Sequence, residues 1–381
     1  MHARLKCPHL RAFVRTCART LGAGLVVVAS FTLASARGAG SSTMIVVSQR
    51  ASDLTTLYCF SAQGCWGSTG NNIEASNDDG LHWRVVLASI GPTGGTGIES
   101  IVCPASGICY AEGGAYPDAV VLTTHDGEHW VRHRLGDAGS SSWYPWAIAC
   151  ASASSCVVGG GNGQDNDPGV MYRTRNAGAT WVRSSLPKKT AQIWSIQCPS
   201  ESNCVALAGI VPVHVPMGAG TNGFQIIASS NGGLTWTVRY QSGSYNPGNI
   251  SCSGTATCWA ALEPNLDQPA FGTGPTLVST NGGQSWRPLG LVENQRPNVI
   301  SCVSTTTCWG AQLGRSVQFA GISKDGGSRW TWQRLVALSP PPAYPAGELY
   351  YPILTCGSIS SCLLLESTST AGEVLSRLGI P

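Results

Sequence analysis

The stretch Ile101-Val102-Cys103-Pro104-Ala105-Ser106-Gly107-Ile108-Cys109-Tyr110 reads as a stapled β-hairpin. Ile101 and Cys103 stand two residues apart and therefore share one face of a strand. Pro104 to Gly107 are small or turn-forming, and Tyr110 opens a second β-prone run. The arrangement recurs seven times, pairing Cys59 with Cys65, Cys103 with Cys109, Cys150 with Cys156, Cys198 with Cys204, Cys252 with Cys258, Cys302 with Cys308 and Cys356 with Cys362, always with five residues between the cysteines. Two residues before each first cysteine stands Leu57, Ile101, Ile148, Ile196, Ile250, Ile300 or Leu354. The distance from one pair to the next varies from 44 to 54 residues, so the fixed spacing belongs to a repeated unit and not to a strict period. Facing positions of paired strands approach to about 4.5–5.5 Å, which is within disulfide range, so each pair is expected to bridge its own hairpin.

Further along each unit a third apolar run appears, such as Ala119 to Leu122 or Phe224 to Ala228. A glycine three residues before a tryptophan follows it in six copies: Gly80/Trp83, Gly127/Trp130, Gly178/Trp181, Gly233/Trp236, Gly283/Trp286 and Gly327/Trp330. A fourth run comes next, such as Trp181 to Ser184 or Trp330 to Leu335. Four short antiparallel strands about every 50 residues predict an all-β, seven-bladed β-propeller with one hairpin disulfide per blade. A parallel β-helix is the alternative for periodic β sequence, but its rungs are shorter and need no hairpins. The seventh copy ends at Pro381 without the tryptophan motif. Its missing outer strand is assigned to Met44 to Gln49, which closes the ring with the N-terminal strand.

Residues 1–36 read as a secretory signal: Arg4, Lys6, Arg11, Arg15 and Arg19 precede an apolar run from Leu21 that closes on Ala34-Ser35-Ala36. A membrane anchor is the alternative, but the run is 16 residues long and interrupted by Ser30, Thr32 and Ser35, against about 20 for a spanning helix. Residues 37–43 are then a linker and 44–381 the propeller. Without the signal the formal charge changes from +3 to −2, which removes the apparent basicity and argues against a nucleic-acid partner. Fourteen cysteines remain, all in pairs, as expected of a chain that is secreted or held at the cell envelope. A zinc site would call for shorter cysteine spacing and four ligands.

The tryptophan motifs Ser76-Asn77-Asp78-Asp79-Gly80-Leu81-His82-Trp83, Ser279-Thr280-Asn281-Gly282-Gly283-Gln284-Ser285-Trp286 and Ser323-Lys324-Asp325-Gly326-Gly327-Ser328-Arg329-Trp330 resemble the Asp-box, or BNR repeat, of pattern Ser-x-Asp-x-Gly-x-Thr-Trp. That family includes bacterial sialidases, sortilin-type receptors, photosystem II assembly factors and some glucan hydrolases. The acidic position is filled by Asn176, Asn231 and Asn281 in three copies and, by spacing, by His125 in another. A turn-forming role therefore fits these boxes better than catalysis. Resemblance to six-bladed sialidases would imply three arginines, an acidic proton donor, a tyrosine nucleophile with a partner glutamate, and a Phe/Tyr-Arg-Ile-Pro motif. No such tetrapeptide occurs. Seven blades are closer to the photosystem II assembly factors.

Hairpin turns and boxes should emerge on one face, and the two variable loop types on the other. The spacing from second cysteine to tryptophan runs from 18 to 32 residues, so the second face is the elaborated one. Binding normally resides in loops held by a rigid frame. Candidate ligand contacts on that face are Trp143, Tyr144, Trp146, Asp165, Asp167, Trp194, Tyr245, Arg296, Tyr344, Tyr350 and Tyr351. Aromatic faces with scattered polar groups suit sugar rings or a protein partner, although Trp146 and Trp194 also suit gaps between blades. No cofactor or metal is expected. A loosely bound calcium at Asp165-Asn166-Asp167-Pro168-Gly169 is the exception considered, but that segment lacks the later bidentate glutamate. The expectation is a monomeric, exported binding or assembly module for a glycan or an extracellular protein. A sialidase-like exo-glycosidase is the rival, to be separated by whether three arginines and an acid/nucleophile set converge on the elaborated face.

Overall fold

The computed structural model describes residues 45–379, apart from 62, 71, 89–96, 116–117, 136–142, 162–167, 212–222, 244, 265–273, 314–317, 336–351 and 369–371. Seven four-stranded antiparallel sheets follow one another along the chain. In blade 1 the strands are Thr56–Cys59, Cys65–Thr69, Asn72–Ser76 and Arg84–Leu87, in order from the inside out. Blades 2 to 6 repeat that order. In blade 7, Ile353–Ser358, Ser361–Thr368 and Gly372–Gly379 are completed by Ile45–Ser52, which pairs antiparallel with Gly372–Gly379. The ring thus closes as the sequence predicts.

All seven cysteine pairs bridge the inner two strands of their own blade. Cys59 is joined to Cys65, Cys103 to Cys109, Cys150 to Cys156, Cys198 to Cys204, Cys252 to Cys258, Cys302 to Cys308 and Cys356 to Cys362, with Cα–Cα separations of 4.0–4.1 Å. The alternation of inward-facing residues packs each sheet on both neighbours. Ile193, Ile196, Ala206 and Ile227 of blade 4, for example, share a buried cluster with Val157 and Met171 of blade 3.

Six blades carry the glycine–tryptophan turn, and five of them share one pattern of serine or threonine and Asp or Asn hydrogen bonds. In blade 1 the Ser76 hydroxyl donates to Asp78 Oδ1 (2.8 Å), the Gly80 N–H donates to Ser76 Oγ (2.9 Å), and the His82 N–H donates to Asp78 Oδ1 (2.9 Å). Asn231 takes the Asp78 role in blade 4, where its Oδ1 accepts from the Ser229 hydroxyl and the Thr235 N–H, each at 2.9 Å. An amide oxygen thus does what a carboxylate oxygen does, as a turn-forming role requires. The second turn corrects the reading by spacing. There Thr124 Oγ1 donates to Asp126 Oδ1 (3.1 Å) and receives the Gly127 N–H (2.9 Å), so the turn is one residue shorter and Asp126, not His125, holds the acidic position.

The turns dock on the disulfide hairpins of their own blades. Backbone N–H groups of Asp79, Ala177, Gly232, Gly282 and Gly326 donate to carbonyls of Gln63, Ser154, Ser202, Ala256 and Thr306. Hairpins and boxes therefore occupy one face. The residue after the second cysteine then reaches under the next blade's box. A Cβ on Gly80 would lie 2.8 Å from Leu363 of blade 7, on Gly233 2.5 Å from Val157 of blade 3, and on Gly283 2.0 Å from Val205 of blade 4. Those glycines also have φ of +77° to +84°. Where the preceding side chain is long enough it bonds the next blade as well: Tyr110 Oη donates to the Ala153 carbonyl in the blade 3 disulfide hairpin (2.6 Å) and Trp259 Nε1 to the Gly326 carbonyl in the blade 6 box (2.9 Å).

The seam between blades 7 and 1 has an additional clasp. Asp79 is only 7% exposed, and its Oδ2 accepts from Arg377 Nε (2.6 Å) and the Ser361 hydroxyl (2.8 Å). Glycine fills the Asp79 position in blades 4, 5 and 6, so the turn itself does not need the carboxylate. Asp79→Gly should therefore relax a left-handed backbone and still lower stability, by about 2 kcal/mol, because it strands Arg377. A double-mutant cycle with Arg377→Met, read by chemical denaturation, should show strong coupling; additive losses would assign the clasp no energy. Gly283→Ala should cost about 3 kcal/mol or more, since it combines overpacking against Val205 with a left-handed backbone. Gly254→Ala, with φ +63° and nothing within 4 Å of the added carbon, should cost only about 1 kcal/mol in the same measurement.

Candidate functional site

The inner strands of all seven blades surround a central cavity of about 810 Å³. An innermost strand leaves one edge unpaired, and here polar side chains from the preceding blade cover part of it. Thr355 Oγ1 accepts the Cys59 N–H (3.0 Å), Ser195 Oγ the Ile250 N–H (3.1 Å) and Ser251 Oγ the Cys302 N–H (2.8 Å). Asn249 pairs with both backbone groups of Ile300, accepting the N–H at 3.0 Å and donating to the carbonyl at 2.7 Å. Three seams of the wall, between blades 7 and 1, 4 and 5, and 5 and 6, are thereby tied without a continuous sheet.

The position four residues before each first cysteine lines this cavity in every blade: Thr55, Glu99, Trp146, Trp194, Gly248, Asn298 and Pro352. It lies where the chain enters the inner strand from the preceding blade, at the end opposite the hairpins and boxes. In blades 2 to 5 the pairing register slips at this residue. Such a bulge turns its side chain out of the ladder. One arc of the ring is thus Glu99, Trp146 and Trp194, and the glycine beyond Trp194 leaves that side open. The two indoles stack, with ring centroids 5.2 Å apart and planes inclined by 26°.

Behind this arc lies a second carboxyl. Glu112, on the strand that pairs with the blade 2 inner strand, is fully buried, and neither of its oxygens has a hydrogen-bond partner among the described residues. Its side chain is on the same face as Tyr110, which reaches blade 3, so it points into the seam between blades 2 and 3. Ser68, at the equivalent place in blade 1, bonds the Ile98 carbonyl at the start of the next inner strand (3.2 Å). By that equivalence Glu112 faces the backbone beside Trp146. Burial, reinforced by the charge of Glu99, pushes its carboxyl well above the usual range. Glu99 is exposed to the cavity but crowded by its wall, and the partial loss of bulk water raises its carboxyl too. A neutral acid behind a carboxylate is the arrangement expected when two like groups share a poorly hydrated site.

The candidate residues chosen from sequence divide. Trp146 and Trp194 meet in the cavity wall. Trp143 is 8% exposed and stacked on Tyr172 at 5.6 Å, inside the core between blades 2 and 3. Tyr144 begins the blade 3 inner strand and is half-buried, and Tyr245 packs on the blade 4–5 core. Arg296 donates from Nε to the Leu291 carbonyl (2.9 Å) beside the short 3-10 turn Glu293–Gln295. Asp165, Asp167, Tyr344, Tyr350 and Tyr351 lie outside the described residues, as do residues 1–36, expected from sequence to be a secretory signal. Glu99 and Glu112 escaped the sequence reading. Counting from the cysteines exposes both: glutamate stands three residues after Cys109, where the other blades have Ser68, Gly159, Leu207, Ala261, Ala311 and Leu365.

The cysteines divide as well. The first of the pair stands on the inner strand and borders the cavity in every blade but the second. Its partner stands one strand further out: Cys65, Cys109, Cys156, Cys204, Cys258, Cys308 and Cys362 are each at most 2% exposed and do not line the cavity. These seven belong to the scaffold and not to the candidate site, because a residue on the second strand is screened from the cavity by the strand inside it.

Among the described residues no group of three or more His, Cys, Asp or Glu side chains could hold a metal ion, and no helix is long and apolar enough to cross a membrane. His129 and His133, four residues apart, engage Asp126 and Thr123 separately.

No protein-family profile matches this chain, and no curated protein matches it. Solved structures do. YCF48 bound to a D1 peptide is 17% identical with a TM-score of 0.56, over 88% of this chain and 94% of that one. A PL25 polysaccharide lyase, an ulvan lyase, is 11% identical with a TM-score of 0.54, over 88% and 96%. The Hadza microbial sialidase Hz136 is 14% identical with a TM-score of 0.50, over 80% and 73%. These likenesses show the fold alone.

Glu112 provides a test of the buried acid. Its raised carboxyl keeps its proton in the folded state, so the folded chain binds a proton that the unfolded chain releases above about pH 4.5. Stability is undiminished below that pH and falls as pH rises toward the folded titration, by up to about 1.4 kcal/mol per unit. Glu112→Gln should remove this slope, matching the wild type in acid and exceeding it at pH 8 in urea unfolding. Parallel pH profiles for the two proteins would show that Glu112 ionises normally.

Proposed function

We propose that this protein is an exported binding or assembly module that engages a glycan or an extracellular protein at its loop-rich face, with the central cavity as the anchoring point. The observation that carries this reading is the Trp146–Trp194 stack at the loop-side rim of a cavity whose wall is otherwise mostly backbone, aliphatic and neutral polar groups. Paired indoles present rigid apolar area at little entropic cost, which is what a binding anchor needs. The seven disulfides suit an oxidising compartment. The fold itself hosts both peptide binders and glycan-active enzymes, so the site and not the fold supports the choice.

A sialidase-like hydrolase would need cationic residues to hold an acidic sugar. Among the described residues lining the cavity there is no arginine or lysine, and the one charged side chain is Glu99. This favours binding over that chemistry.

Glycan-array and peptide-display screens on the oxidised chain should return ligands whose affinity falls by roughly tenfold or more in Trp146→Ala and Trp194→Ala, with melting little changed. Turnover of a fluorogenic sialoside, lost in the same variants, would replace the binding reading with the enzymatic one.

A further inference from the structure

We propose that the Glu99–Trp146–Trp194 arc of the central cavity is a site for an organic cation, an ammonium or guanidinium group carried on an apolar stem. The proposal rests on the cavity being the binding site and specifies what enters it.

Three observations converge. Glu99 is the only charged side chain among the described residues that line the cavity, and no hydrogen bond or ion pair to a described residue engages its carboxylate. Its charge acts on another acid, Glu112, whose fully buried oxygens have no hydrogen-bond partner among the described residues. Among the described residues the cavity wall thus carries negative potential with no cationic side chain beside it, which a bound cation would balance.

The adjoining residues select the kind of cation. Trp146 and Trp194 follow Glu99 in the next two blades, at the equivalent ring position and stacked on each other. Indole faces attract cations through the ring quadrupole, and they favour those that shed water readily, such as alkylated ammonium and guanidinium groups. A bare divalent metal wants six or more oxygen ligands, or a tight octahedron. One carboxylate beside two indoles cannot provide that set. A neutral sugar could stack on the same rings and donate a hydroxyl to Glu99, but unlike a cation it brings no charge to neutralise the carboxylate. An anionic ligand meets Glu99 directly and is repelled. Gly248 leaves the ring position beyond Trp194 without a side chain, and Thr55 next to Glu99 and Asn298 across the ring are neutral.

The same chemistry can arrive as a small molecule or as a lysine or arginine side chain of a polypeptide partner, and calorimetry at low ionic strength separates the two. The intact disulfide-bonded chain is titrated with benzyltrimethylammonium chloride, with capped tripeptides centred on lysine or arginine, with diacetylchitobiose and with calcium chloride. Binding of the quaternary ammonium alone identifies a small-cation site, and tighter binding of a tripeptide identifies a side-chain site; both support the proposal. Glu99→Gln should weaken the cation roughly tenfold or more and Glu99→Lys should abolish its binding. Both changes face the cavity, and unchanged melting curves confirm that the ring is intact. Diacetylchitobiose binding that survives Glu99→Gln, with the cations silent, overturns the cation assignment while leaving the cavity as a binding site. Silence of every cation, or equal affinity in wild type and Glu99→Gln, overturns it outright.

Discussion

The ring depends on a contact between a glycine and its neighbour blade's side chain. The residue after the second cysteine projects from one blade into the box turn of the next, and the turn can receive it only because its glycine has no Cβ. The same glycine sits in a left-handed conformation set by the serine hydroxyl and the Asp or Asn side chain of the box. Local turn chemistry thus sets the space available between blades. The disulfide contributes to the same contact, because it fixes the hairpin on which the box rests and from which the projecting residue departs. Where a box is absent, in blade 7, the preceding Trp309 still finds a carbonyl at Ile359 (3.3 Å). The inter-blade contact therefore outlasts the motif that usually forms it.

With one face committed to this interlocking, the other end of the inner strands is free to vary. The residues four before the cysteines include an acid, two tryptophans, a glycine and a proline, while those two before are all leucine or isoleucine. This difference follows from packing: the second set fills the seams, and the first faces the opening of the cavity. Chemistry can change at the rim without disturbing the seams, provided that a bulge moves the rim residue out of the ladder.

The architecture was legible in the sequence because its strongest signal is covalent and repeated. Five residues between cysteines, an aliphatic residue two before and a glycine–tryptophan step later leave few alternatives to a stapled four-stranded unit. The strand completing blade 7 was legible for a related reason: one unit lacked a strand and an unassigned apolar run preceded the first. Spacing failed at the second box, since a one-residue deletion shifts His125 into the apparent acidic position and only the hydrogen bonds reveal Asp126. The site was less legible. Attention to aromatic residues in loops selected Trp143, whose ring is consumed by the core, and missed Glu99, which lies within a strand and faces the cavity because of a register slip. A register slip has no local sequence signature here; it emerges only when the blades are superimposed by their cysteines.

The cysteine pairing also bears on the order in which the chain becomes mature. Every bridge joins residues six apart, so each can form as soon as its own hairpin forms, with no partner awaited from a later segment. Mispairing between units is disfavoured by the short loop, whose ends meet far more often than those of a 44-residue one. The first strand has the opposite schedule. Ile45–Ser52 is made before every blade yet pairs with Gly372–Gly379, so it stays without its partner until the last strand arrives. Oxidation can therefore proceed unit by unit from the N-terminal side, while circular closure is a single late event that depends on the two ends meeting.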